Sequence, residues 1–160
     1  MNYILYILMP ILALVLTILD TSFFSFWEVW NTTIISTFCM LMVVVMFGHR
    51  RASLVFGAFC TLFLAVFSSV PVYLLMITFF IIPLLVFYIR DKVFFEANYI
   101  PALIVFLLSG FIFRLILLPL NPEFNKDVLL SIVSFPIVNA IFSLLIFAVY
   151  KRINSAYSKN

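Results

Sequence analysis

Charge is what this sequence lacks. Of 160 residues, nine are Lys or Arg and six are Asp or Glu, so charged side chains make up 9% of the chain. A water-soluble domain carries about a quarter. Hydrophobic residues reach 67%, and a globule of this size could not cover its surface with so few charges. A water-soluble fold is excluded, and the chain reads as an integral membrane protein. Three glycines and seven prolines are too few for a linker or a fibrous repeat. The two cysteines, Cys39 and Cys60, stand in apolar runs without a CxxC spacing. That reads as buried small hydrophobes, not as a disulfide or a metal site. The one histidine, His49, sits beside Arg50 in a polar turn and reads as solvated. HExxH, GxSxG and Walker A motifs are all missing, as are paired intramembrane aspartates. With no nucleophile–base pair in view, neither catalysis nor a cofactor is expected. The basic residues are scattered between apolar runs, which argues against nucleic acid as a partner.

What is present is a succession of apolar stretches. A bilayer core about 30 Å thick needs roughly 17–25 apolar residues per helix. Residues 3–19, 31–47, 54–70, 72–89, 98–118 and 128–150 qualify, which predicts an all-α protein of six transmembrane helices forming one polytopic domain. Asp20 ends the first stretch, Gly48-His49-Arg50-Arg51 the second and Arg90-Asp91-Lys92 the fourth. Leu54 to Ile89 contains no charge; as one helix it would measure about 54 Å, nearly twice the hydrocarbon depth. Pro71 supplies the break, because it lacks a backbone donor and biases Val70 away from helix.

Charge placement gives the orientation. Arg50, Arg51, Arg90, Lys92, Lys151, Arg152 and Lys159 fall on one side of a six-span chain. Lys126 falls on the other, with Asp20, Glu28, Glu123 and Asp127. By the positive-inside rule both termini are cytoplasmic. The first stretch lacks a basic n-region and an A-x-A site, so it reads as an anchor and not as a cleaved signal peptide.

Four features invite a functional reading. Ser53, Gly57, Thr61, Ala65 and Ser69 recur at every fourth position and make a stripe of small side chains. In lipid such stripes let helices approach closely, either within the chain or against a partner helix. Phe23, Trp27 and Trp30 lie in an aromatic segment on the outer side, suited to lipid anchoring or to a partner contact. The adjoining Asn31-Thr32-Thr33 is a weak glycosylation match. Arg114, the one charge inside a span, either snorkels, pairs with Glu123 or Asp127, or meets a headgroup or partner. The sixth span carries Ser131, Ser134, Pro136, Asn139 and Ser143. Asn139 and Ser143 share a face and read as interhelical glue or as a polar lining, and Pro136 as a kink. The chain shows neither an inverted repeat nor a pair of broken, Gly-interrupted helices of the transporter kind.

The stretch Arg50-Arg51-Ala52-Ser53-Leu54-Val55-Phe56-Gly57-Ala58-Phe59, running on to Ser68-Ser69-Val70-Pro71, resembles the rod shape-determining protein MreD family. There a basic turn leads into a Gly-containing helix, a short Ser/Gly/Pro turn and another apolar helix. The family often has a second Gly and an acidic residue in that helix, where this chain has Thr61 and Ala65. Length, six short spans and a basic tail agree, and of the functional residues only Gly57 carries over. The resemblance implies a non-enzymatic component of bacterial rod elongation in the cytoplasmic (inner) membrane. Its neighbours would be membrane lipids, a bitopic periplasmic scaffold (MreC-like) and other elongation proteins. The MreD architecture is also similar to the substrate-binding subunits of energy-coupling-factor vitamin transporters. That alternative requires an outward-facing polar pocket built from loops and helix ends.

Overall fold

The computed structural model describes residues 3–30, 32–93, 98–118 and 126–157. Among them the regular structure is helical: α1 Tyr3–Ser22, α2 Ser36–Met46, α3 Arg50–Phe67, α4 Val72–Met76, α5 Ile82–Val93, α6 Tyr99–Leu117 and α7 Lys126–Tyr157. A π turn, Ile77–Ile81, joins α4 to α5 as one rod, and a 3-10 turn, Phe24–Phe26, follows α1. Among the described residues five rods are long and apolar enough to cross a membrane. This is the build of a multi-pass membrane protein.

The helix ends gather at two poles. At one, Arg90 lies over Gly48, His49 faces Tyr150, and Lys151 reaches Tyr99 and Asn98. At the other, Asp20, residues 33–35, Phe67 to Val70 and Leu117 surround one cavity. These are called the basic and the acidic pole below. The basic side chains use nearby aromatic faces: Arg50 lies over Phe87 at 5.7 Å and Lys92 over Tyr88 at 4.7 Å. Such contacts hold a cation near the apolar slab without burying it.

The second rod corrects the sequence reading. A span over 31–47 is expected, yet the helix begins only at Ser36 and has 11 residues, about 16 Å, half the hydrocarbon depth. The preceding Thr32-Thr33-Ile34-Ile35 is entirely β-branched and not helical, as such a run prefers. Glu28 and Thr33 pair across a tight hairpin instead. Every residue of α2 except Met40 is buried, which suits a helix apolar on all sides. It is the central post, touching α1, α3, α5, α6 and α7. At the basic pole it ends in a Schellman motif: Gly48 N–H donates to Val45 O and His49 N–H to Val44 O. Gly48 sits at φ +79°, where a side chain is strained.

Two close approaches fix the other helices around this post. A Cβ on Gly57 would lie 2.8 Å from the Phe79 carbonyl oxygen, and one on Gly110 3.0 Å from the Pro136 Cα. The first contact has a local cause. Pro83 has no N–H to offer the Phe79 carbonyl four residues earlier, so the helix loosens into its π turn there and Gly57 covers the place. Phe113 stacks on Phe135 and meets Phe38 and Phe79, filling the middle of the bundle with rings.

Candidate functional site

Starting α2 only at Ser36 leaves extended, partly buried backbone over residues 32–35 inside the bundle. Such backbone persists only if protein groups bond it. Two side chains do so. Asp20, turned inward from the last turns of α1, accepts from Ser36 N–H at 2.6 Å and Ser36 Oγ at 2.7 Å through one oxygen. Its other oxygen accepts from Thr37 N–H at 3.0 Å and Thr37 Oγ1 at 2.6 Å. An acidic group at these first N–H groups both caps α2 and opposes its dipole. Asn139 of α7, only 1% exposed, handles the extended strand. Its Oδ1 accepts from Ile35 N–H at 2.9 Å, and its Nδ2 donates to Thr33 O at 3.2 Å and to Phe135 O at 3.0 Å. The Cys39 thiol donates toward Asn139 as well.

Above this junction lies a cavity of about 420 Å³, opening at the acidic pole. Thr33, Ile34 and Ile35 of the extended segment ahead of α2 form part of its wall. Asp20, Thr21, Ser25, Thr33, Ser68 and Ser69 give its polar wall, and Leu64, Phe67, Leu75, Phe79 and Phe113 its apolar one. Three of the five hydroxyl protons are spoken for: Thr21 Oγ1 donates to Thr17 O at 2.9 Å, Ser25 Oγ to Thr21 O at 2.9 Å and Ser68 Oγ to Leu64 O at 2.6 Å. At Thr21, Ser25 and Ser68 the lining therefore presents oxygen acceptors, while Thr33 and Ser69 add hydroxyls that can donate or accept.

The hairpin beside the cavity carries the aromatic segment. Phe26 is 85% exposed and Trp30 63%, with Phe23 and Trp27 also exposed. Phe23 packs on Trp27, and Phe24 on Phe142 of α7. Val29 and Thr32 exchange two main-chain hydrogen bonds, and Trp30 between them has φ +53°. A bulky residue in that left-handed region is strained, so the turn is held by its surroundings.

The remaining residues singled out from the sequence fall in three places. Ser53, Gly57 and Thr61 are buried; the two hydroxyls bond their own helix, to Arg50 O and Gly57 O. This part of the stripe faces the chain's own π turn and α2 at Gly57. Ala65 is half-buried and Ser69 exposed on the cavity rim. Arg114 donates to Ser131 Oγ of α7 from Nε at 3.1 Å and Nη2 at 2.6 Å. Of its two expected acidic partners, Asp127 stands in the first turn of α7, while Glu123 lies outside the described residues, as does Asn31 of the sequon. Pro136 sits within an unbroken α7 and backs Gly110.

In the sequence Asp20 reads as the end of the first apolar stretch. The helix in fact continues to Ser22, and the carboxylate belongs to the interior. The available signal was an acidic residue followed, sixteen positions on, by Ser-Thr ahead of an apolar run. Gly110 was missed too, although Ser109-Gly110 in an otherwise large-residue helix marks a close approach. No family model, no curated protein and no solved structure matches this chain.

Proposed function

We propose that this chain is a non-catalytic membrane scaffold of the bacterial cell-elongation apparatus, an MreD-like protein. In this reading it crosses the cytoplasmic membrane six times, with the basic pole and both termini in the cytoplasm and the acidic pole outside. The second crossing is made by α2 together with the extended residues ahead of it: 11 helical residues and the four residues 32–35 sum to about 30 Å. The partner surface is the aromatic hairpin, which would meet a bitopic periplasmic scaffold of MreC type. The supporting observation is Trp30, held exposed in a strained conformation at the tip of a turn tied to α1 and α7. A surface built rigid before binding loses little freedom on association, and exposed Trp and Phe are favoured anchors.

The test is capture from crosslinked membranes. A coiled-coil bitopic protein with a periplasmic body should co-purify with the tagged chain, and Trp30→Gly should cut its recovery by about fivefold or more. Thermal stability should stay level or rise, since glycine accepts φ +53° without strain. Undiminished capture with Trp30→Gly rejects the hairpin as the contact. Recovery of a pair of ATPases in place of the bitopic protein favours the second reading, a substrate-binding subunit of a vitamin transporter, for which the cavity at the acidic pole is the supporting feature.

A further inference from the structure

We propose that the cavity between α1, α3, α4 and α6 binds a small amphiphile, a molecule with an apolar body and a polar end that donates hydrogen bonds and carries no negative charge. The inference rests on neither reading above; it concerns only what the cavity takes.

Three observations carry it. The volume, about 420 Å³, lies in the range of small-molecule sites, roughly 300–1,000 Å³. The apolar wall includes three phenylalanines, Phe67, Phe79 and Phe113, and Phe113 is locked by its stack on Phe135, so the site is largely preformed. The polar wall leans toward acceptors around Asp20, with the Thr33 and Ser69 hydroxyls able to act either way. Asp20 brings a carboxylate, no Lys or Arg stands among the described lining residues, and the protons of Thr21, Ser25 and Ser68 already go to backbone carbonyls. What these hydroxyls have left is lone pairs. A ligand that offers only acceptors leaves them unmet, and an anion is also repelled by Asp20. A ligand with an O–H or N–H at one end meets Thr21 and Ser25 while its body lies against the rings. Asp20 itself keeps its four bonds to Ser36 and Thr37, so binding does not require α2 to lose its cap.

The experiment uses the full chain in detergent micelles and three indoles that differ at the polar end. Tryptophol is neutral with a donor, tryptamine is cationic with donors, and indole-3-acetate is anionic. Tryptophol and tryptamine should raise the unfolding temperature saturably by several degrees, and indole-3-acetate should not. Thr21→Val, which keeps the shape and removes an acceptor, should weaken tryptophol binding by about threefold or more. Val70→Trp, which fills the cavity from its rim, should abolish the rise; if that variant does not fold, Ser69→Trp serves the same purpose from an exposed position. The proposal is overturned if tryptophol gives no saturable rise, if indole-3-acetate matches it, or if the filled variant still responds. It is equally overturned if the cavity of the purified protein proves to hold the acyl chain of a co-purified lipid that the indoles do not displace.

Discussion

Asp20 satisfies two backbone N–H groups and two hydroxyls that belong to a different helix, so its removal is felt at α2 and not at α1. Each buried N–H left without a partner costs about 1–3 kcal/mol. Asp20→Ala should therefore destabilise the protein by about 2–6 kcal/mol, read from unfolding in mixed micelles. Asp20→Asn should fall between it and the parent, because the amide keeps one accepting oxygen but turns an NH₂ toward the remaining donors. A carboxylate serving only as a surface charge would show no such order. Asn139 does the matching work on the strand side, and its i, i+4 relation to Ser143 was visible in the sequence. That it would bond Thr33 and Ile35, more than a hundred residues away, was not, because nothing local in α7 names the partner.

Helix against helix, the decisive contacts are places where side chains are missing. Gly57 and the Phe79 carbonyl show why. A backbone oxygen cannot swing aside like the end of a long side chain, so a methyl group 2.8 Å from it forces the two rods apart. Gly57→Ala should cost about 1–3 kcal/mol and Gly57→Leu considerably more, measured by the same unfolding assay. Insertion into the membrane should stay normal, since hydropathy is unchanged. Equal stability of Gly57→Ala and the parent would mean the rods do not touch here. The stripe of small residues was legible from its fourth-residue spacing. Its partner was half legible: Pro83 announces a carbonyl without its donor, yet only the packed bundle brings Gly57 to that spot. The short α2 shows the reverse case, in which hydropathy was misleading. An apolar run of 17 residues satisfied the length rule, but its first part is a β-branched run that takes extended backbone when neighbours can bond it.

For the molecule as a whole, the two poles can be located directly. Cys39 and Cys60 are both buried, so an introduced thiol can be read without removing them. Ser69→Cys, exposed at the acidic pole, should react with an impermeant maleimide on intact cells. Lys92→Cys at the basic pole should react only after the membrane is opened. The opposite pattern would invert the proposed orientation, and labelling of both on intact cells would end the six-span scheme. An aromatic hairpin and a polar-rimmed cavity then share the exposed pole, one offering a surface and the other an interior.

By itself the sequence determined the solvent. Two-thirds apolar residues and scarce charge leave only a bilayer, and the length and punctuation of the apolar runs settle most of the helices, because hydropathy and proline act locally. The tertiary structure alone decided what the few polar residues are for. Asp20 and Asn139 are assigned by the backbone at the start of α2 and just ahead of it, which they bond, and the cavity by the helices and extended residues that meet around it. Both depend on which rods stand side by side, a relation between distant segments that no local pattern encodes.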